Sequence, residues 1–127
     1  LNERFSSILR STLTLVRRGV SLARVSGEIH FSHGVRLVVL ERIVYHRLPI
    51  VIESYGYEVW NEDEKLYWYD SQPHPNEPAL QSTHPHHKHV PPDIKHNRIP
   101  APGLSFSKPN LPILIEEIEE QLARSGS

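Results

Sequence analysis

The distribution of proline constrains this chain more than any other feature. Nine of its eleven prolines fall between residues 71 and 109, and none precedes Pro49. Proline fixes φ and removes a backbone N–H, so it is kept out of sheet interiors. Residues 1–70 are therefore free to build regular structure, whereas 71–109 is expected to be a loop with little of it. A loop of that length in a compact domain is unusual and often functional. Val90, Ile94, Ile99, Leu104 and Phe106 give it apolar anchors, so it is expected to wrap across the sheet in an ordered way.

The segments on either side divide by periodicity. Residues 2–17 are predicted to be a helix capped by Asn2, with Phe5, Ile8, Leu9, Thr12, Leu13 and Val16 at helical spacing. Arg17, Arg18 and Gly19 suit its C-terminal end. Residues 20–70 are predicted to be antiparallel β-structure: 20–32, then 35–47 after the turn Ser32-His33-Gly34, then 50–60 after Leu48-Pro49, then 65–70. In the third strand Val51, Glu53, Tyr55, Tyr57 and Val59 share one face. The polar run Asn61-Glu62-Asp63-Glu64 connects the last two strands. A final helix begins at Asn110, with Leu111, Leu114, Ile115, Ile118 and Leu122 as its apolar face and its glutamates toward solvent. The expected fold is α+β. An antiparallel sheet of about four or five strands packs with an N-terminal and a C-terminal helix, in a single domain over 1–127 that carries the His/Pro-rich loop 71–109.

Composition narrows the function. A net charge of −1 gives no overall basic field to attract nucleic acid. The absence of cysteine removes disulfides, thiol nucleophiles and thiolate metal sites, which suits a cytoplasmic protein. No apolar run reaches the roughly 20 residues needed to span a bilayer, so no membrane role is expected. What the chain does concentrate is imidazole. Six of its nine histidines lie in 71–109, four of them in His84-Pro85-His86-His87-Lys88-His89.

Three chemistries fit these residues. Metal-free phosphodiester cleavage needs a base, an acid and cationic groups for the transition state. His87 and His89 serve as acid/base candidates and Lys88 as the charge stabiliser. Asp70 and His74 support them, and Tyr57 and Arg98 are substrate contacts. No cofactor is then required. Alternatively, His84 and His86 bind a divalent metal, with Asp70, His74 or Asp93 as a further ligand, although no established ligand spacing is present. The third reading is a non-enzymatic interaction module whose loop is a docking surface. Glu41 and Glu53, inside apolar strands, are expected to pair with Arg36, Arg42 or Arg47, or to orient an imidazole. Asp70 is expected within hydrogen-bond reach of His74 or of the tract 86–89, with a plain Asx-turn as the competing role.

Several of these segments occur in the same order elsewhere. Gly27-Glu28-Ile29, the turn near Gly34 and Tyr55-Gly56-Tyr57 are followed by Tyr69-Asp70-Ser71-Gln72-Pro73-His74. His86-His87-Lys88-His89 and a Glu-rich final helix complete the order. Over residues 20–123 the chain resembles the TumE-like toxins of prokaryotic toxin–antitoxin modules, with about twenty extra residues between the histidine motif and the helix. The resemblance implies a growth-inhibiting toxin with a cognate antitoxin, typically a helix-turn-helix DNA-binding protein. An RNA-cleaving endoribonuclease is what the residues suggest. RNA is the expected substrate, and a homodimer is left open.

Overall fold

The computed structural model describes residues 7–45 and 50–125. Eight antiparallel strands form one sheet: β1 (Arg10–Ser11), β2 (Thr14–Arg17), β3 (Leu22–His30), β4 (Val35–Val44), β5 (Val51–Asn61), β6 (Glu64–Asp70), β7 (His87–His89) and β8 (Arg98–Pro100). The spatial order is β1-β3-β4-β5-β6-β7-β8, with β2 also pairing the outer edge of β3. The α-helix of the described residues, α1 (Leu111–Ser125), follows the last strand. No helix among them is long and apolar enough to cross a membrane.

The central strands β3 to β6 lie where the alternation places them. The two ends of the sheet do not. Over its described residues, 7–17, the predicted N-terminal helix gives way to β1 and β2, and the adjoining residues also bond to β3, Leu9 N–H to His30 O and Thr12 N–H to Glu28 O, both 2.8 Å. Its supposed apolar stripe does not share a buried face: Ile8 is buried, but Leu9 is 67% and Val16 47% exposed. Thr12, Thr14 and Val16 are β-branched and favour strands, and the free edge of β3 offers them a ladder. Gly27 makes the approach sterically open, since its φ is +141° and a Cβ there would lie 2.4 Å from the Thr12 carbonyl oxygen. The expectations for Asn2, Phe5, Arg47 and Leu48-Pro49 concern positions outside the described residues.

The proline-rich stretch supplies the other two additions, β7 and β8, which is why the sheet has eight strands and not four or five. It remains poor in regular structure otherwise, with one 3₁₀ turn at Pro78–Thr83. Pro100 is tolerated because β8 is an edge strand, where a missing donor costs no ladder bond.

One face of the sheet is the core. Ile29, Leu37, Val39, Tyr57, Val59, Tyr67 and Tyr69 are buried there with Leu114, Ile115 and Ile118 of α1. Tyrosine hydroxyls stitch the two layers: Tyr69 donates to Glu117 at 2.8 Å, and Gln121 donates to Tyr67 at 3.0 Å. Tyr57 donates to buried Glu41 and accepts from Asn110 Nδ2 at 3.1 Å. Glu41 thus has a tyrosine partner in place of the expected arginine, whereas Glu53 does pair with Arg42 at 3.3 Å. α1 starts directly after Asn110, whose side chain is held by Ser105 and Tyr57.

Candidate active site

Strand register gathers the chemistry on the face opposite α1. Asp70 stands across from His87, and Trp68 from His89. His89 in turn stands across from Arg98. Side chains of cross-strand partners point the same way, so the residues Trp68, Asp70, His87, His89 and Arg98 share this face. Lys88 has the opposite parity and reaches toward the helix, with Nζ 3.4 Å from Glu117 Oε2 and over the ring of Tyr67 at 4.3 Å.

The centre of the site is a triangle. His87 Nε2 lies 2.7 Å from Asp70 Oδ1, His89 Nε2 3.4 Å from Asp70 Oδ2, and the two Nε2 atoms 3.2 Å apart. Both rings are held from behind, His87 Nδ1 by the Pro85 carbonyl at 3.0 Å and His89 Nδ1 by the Ile94 carbonyl at 2.8 Å. The Trp68 indole stacks on His89 at 3.8 Å between centroids and donates Nε1–H to the same Ile94 oxygen. Asp70 also accepts the Gln72 N–H at 3.0 Å. It is therefore an Asx-turn and an imidazole partner at once. The two imidazole side chains are 1% and 4% exposed and the carboxylate 14%, so rotation is restricted and water is scarce.

Electrostatics divides the two imidazoles. Burial disfavours a charged His87, but the Asp70 hydrogen bond, the Pro85 carbonyl and the Asp70 charge overcome it and raise its pKa. In His89 burial prevails over the same carboxylate, and its pKa is lowered. Burial also works against the Asp70 charge, yet the bonds from His87 and Gln72 and the two nearby imidazoles hold its carboxyl below the ordinary range.

The other candidates are placed around this triangle or away from it. His74 packs edge-on to His87 at 4.9 Å and lies 3.8 Å from Glu77, which also takes Arg98 Nη1 at 2.8 Å. Arg98 Nε is buried with no hydrogen-bond partner among the described residues. His86 is drawn to Tyr55, whose hydroxyl is 2.6 Å from its Nδ1, and His84 is exposed. His84 and His86 thus do not converge with Asp70. The group of metal-capable side chains among the described residues is Asp70, His87 and His89. Asp93 pairs with His96 in solvent. Tyr57 is fully buried on the helix side, away from the triangle. Trp68, Glu77 and the Ile94 carbonyl were not singled out from the sequence. The i, i+2 spacing of Trp68 and Asp70 was the available signal for the first.

Two clefts border this framework. One of 490 Å³ lies between the β4–β5 end and the start of α1, lined by Ile43, Ile52, Phe106 and Leu111 with Glu41. Another of 500 Å³ is lined by Ser54, Tyr55, Asp70, Gln72, Pro73 and Pro85. The second is the one nearer the chemistry, because Asp70 is among its lining residues.

Among the described residues, a single antiparallel sheet backed by one helix, with a carboxylate and two imidazoles converging on its other face, defines a small α+β protein with a preformed polar centre. The chain belongs to the TumE toxin family, whose model, described as toxin TumE, matches residues 1–122. It is thus a toxin component of a toxin–antitoxin module, with an antitoxin as its partner. No curated protein and no solved structure matches the chain.

Proposed function

We propose that this toxin cleaves RNA and that Asp70, His87 and His89 are its catalytic centre. The observation that carries the reading is the convergence of both Nε2 atoms on one carboxylate beside a cleft. At 3.2 Å the two imidazoles are too close to hold a phosphate between them, so they act as one unit at one point. A cation held there, with Arg98 Nε as a free donor beside it, neutralises charge that develops on the phosphoryl oxygens. His74 is the neighbouring imidazole for proton transfer with the 2′-hydroxyl or the leaving oxygen. The family resemblance supports a helix-turn-helix DNA-binding antitoxin and action in the cytoplasm.

The test is expression of the wild type and of Asp70→Asn, with and without the antitoxin, alongside cleavage of total RNA by the purified proteins. Wild type should arrest growth and cut RNA, and the variant should lose cleavage by on the order of 100-fold. Growth arrest with intact RNA would refute the nuclease reading.

A further inference from the structure

The triangle has a geometric problem that points to its occupant. Each ring presents Nδ1 to a backbone carbonyl, so Nδ1 carries the hydrogen and Nε2 of the neutral ring is a lone pair. Two lone pairs then face each other at 3.2 Å and face a carboxylate at 2.7 and 3.4 Å. Two ring nitrogens and a carboxylate this close in a buried site need a positive charge among them, either a proton on His87 Nε2 or a metal ion in its place. This back-side carbonyl support of imidazoles is also the arrangement that orients metal-binding histidines.

The dimensions fit a metal ion. Zinc bonds of about 2.0–2.2 Å to nitrogen and carboxylate oxygen place neighbouring ligands of a tetrahedron about 3.3–3.5 Å apart. The two Nε2 atoms are 3.2 Å apart, His87 Nε2 lies 2.7 Å from Asp70 Oδ1 and His89 Nε2 3.4 Å from Asp70 Oδ2, and one donor atom from each residue lies within 4.8 Å of the others. A modest shift of the carboxylate therefore brings three donors to ligand spacing. The supports described above for both rings and for Asp70 keep the three donors aimed inward before any ion arrives.

We propose that Asp70, His87 and His89 bind one divalent transition-metal ion of the zinc class, leaving one coordination position open. Two imidazoles and one carboxylate favour zinc, cobalt or nickel over magnesium or calcium, which prefer all-oxygen shells. Three protein ligands with an open position is the pattern of catalytic rather than structural zinc. Asp70 lines the 500 Å³ cleft, which is the side from which water or a phosphate oxygen would approach the open position. The assignment excludes the exposed His84 and the Tyr55-bound His86 from the ligand set. In so far as it makes the ion the cationic group of the catalytic centre, it rests on the nuclease reading.

The test uses full-length protein without a histidine tag, stripped with chelator and reloaded with Zn²⁺ or Co²⁺. Bound metal is counted by mass spectrometry after desalting, and the Co²⁺ form is read by its visible spectrum. One ion per chain and a tetrahedral Co²⁺ spectrum are expected. His84→Gln/His86→Gln should retain both. Asp70→Asn and His89→Gln should each lose affinity by at least about 10-fold while keeping the wild-type circular dichroism. A wild type that retains no ion and gives no Co²⁺ spectrum overturns the proposal. So does loss of metal in the His84/His86 variant with retention in Asp70→Asn. If the ligand variants unfold, the wild-type stoichiometry and spectrum and the His84/His86 variant still decide. The two readings fail separately: RNA cleavage by a wild type that retains no ion and gives no Co²⁺ spectrum sinks the site alone, and stoichiometric metal without RNA cleavage sinks the nuclease alone.

Discussion

Tyr57→Phe removes one oxygen atom from the interior and separates a structural role from a substrate role. Tyr57 is fully buried, donates to Glu41 and accepts from Asn110 Nδ2. Its loss leaves a buried carboxyl short of a donor and a buried amide N–H short of an acceptor, although Asn110 keeps its bonds to Ser105. A hydrogen bond to a charged group contributes about 1.5–3 kcal/mol, and an unpaired buried donor costs about 1–3 kcal/mol. Allowing for relaxation, the expected loss is about 2–4 kcal/mol, and on the order of 10 °C in Tm for a domain of this size. The loss also depends on pH. Burial raises the Glu41 pKa, and the Tyr57 bond opposes that rise by favouring the charged form. Without the hydroxyl the pKa climbs further, so the penalty is greatest at neutral pH and shrinks as Glu41 becomes protonated toward the carboxylate range. Urea denaturation at neutral and mildly acidic pH measures both effects. RNA cleavage per folded molecule should stay near wild type. Unchanged stability together with lost cleavage would refute this reasoning and make Tyr57 a substrate contact.

Other outcomes follow from the same framework. Ile118→Ala, at a fully buried position on α1, should cost about 2–5 kcal/mol in chemical denaturation; near-zero loss would mean the helix does not pack on the sheet. In chelator-treated protein, Asp70→Asn should destabilise most between the ordinary carboxylate and imidazole ranges. The His87 contribution is lost as pH rises through its raised pKa, and that of Asp70 as pH falls through its lowered one. A Tm difference independent of pH would contradict the pairing. Arg98→Gln should depress RNA cleavage far more than Lys88→Gln, because Lys88 faces Glu117 on the helix side. The Lys88 change should lower stability by no more than about 1 kcal/mol, and equal activity losses would reverse the assignment.

The strands β3 to β6 and the helix α1 were legible in the sequence because their patterns are local. Alternation from Val51 to Val59 and the stripe Leu114, Ile115, Ile118 each specify a face without reference to anything distant. The N-terminal segment was not legible. Ile8, Leu9, Leu13 and Val16 satisfy helical spacing on paper, but the β-branched residues among them had a free edge of β3 to pair with, and no local pattern reveals that edge. The same holds for β7 and β8, whose formation beside β6 overrides the proline content of the stretch that carries them.

At the site, the sequence by itself determined the inventory: a histidine tract, an aspartate closing an aromatic strand, and an arginine beyond. It also determined that Asp70 would meet an imidazole or cap a turn. Only the tertiary structure decided that both are true and that His87 and His89 are the partners. It also set His84 and His86 apart from Asp70 and turned Lys88 to the other face. The reason is register. In a strand, a shift of one residue exchanges the two faces, and the pairing of β7 with β6 is fixed by hydrogen bonds between segments far apart in the chain.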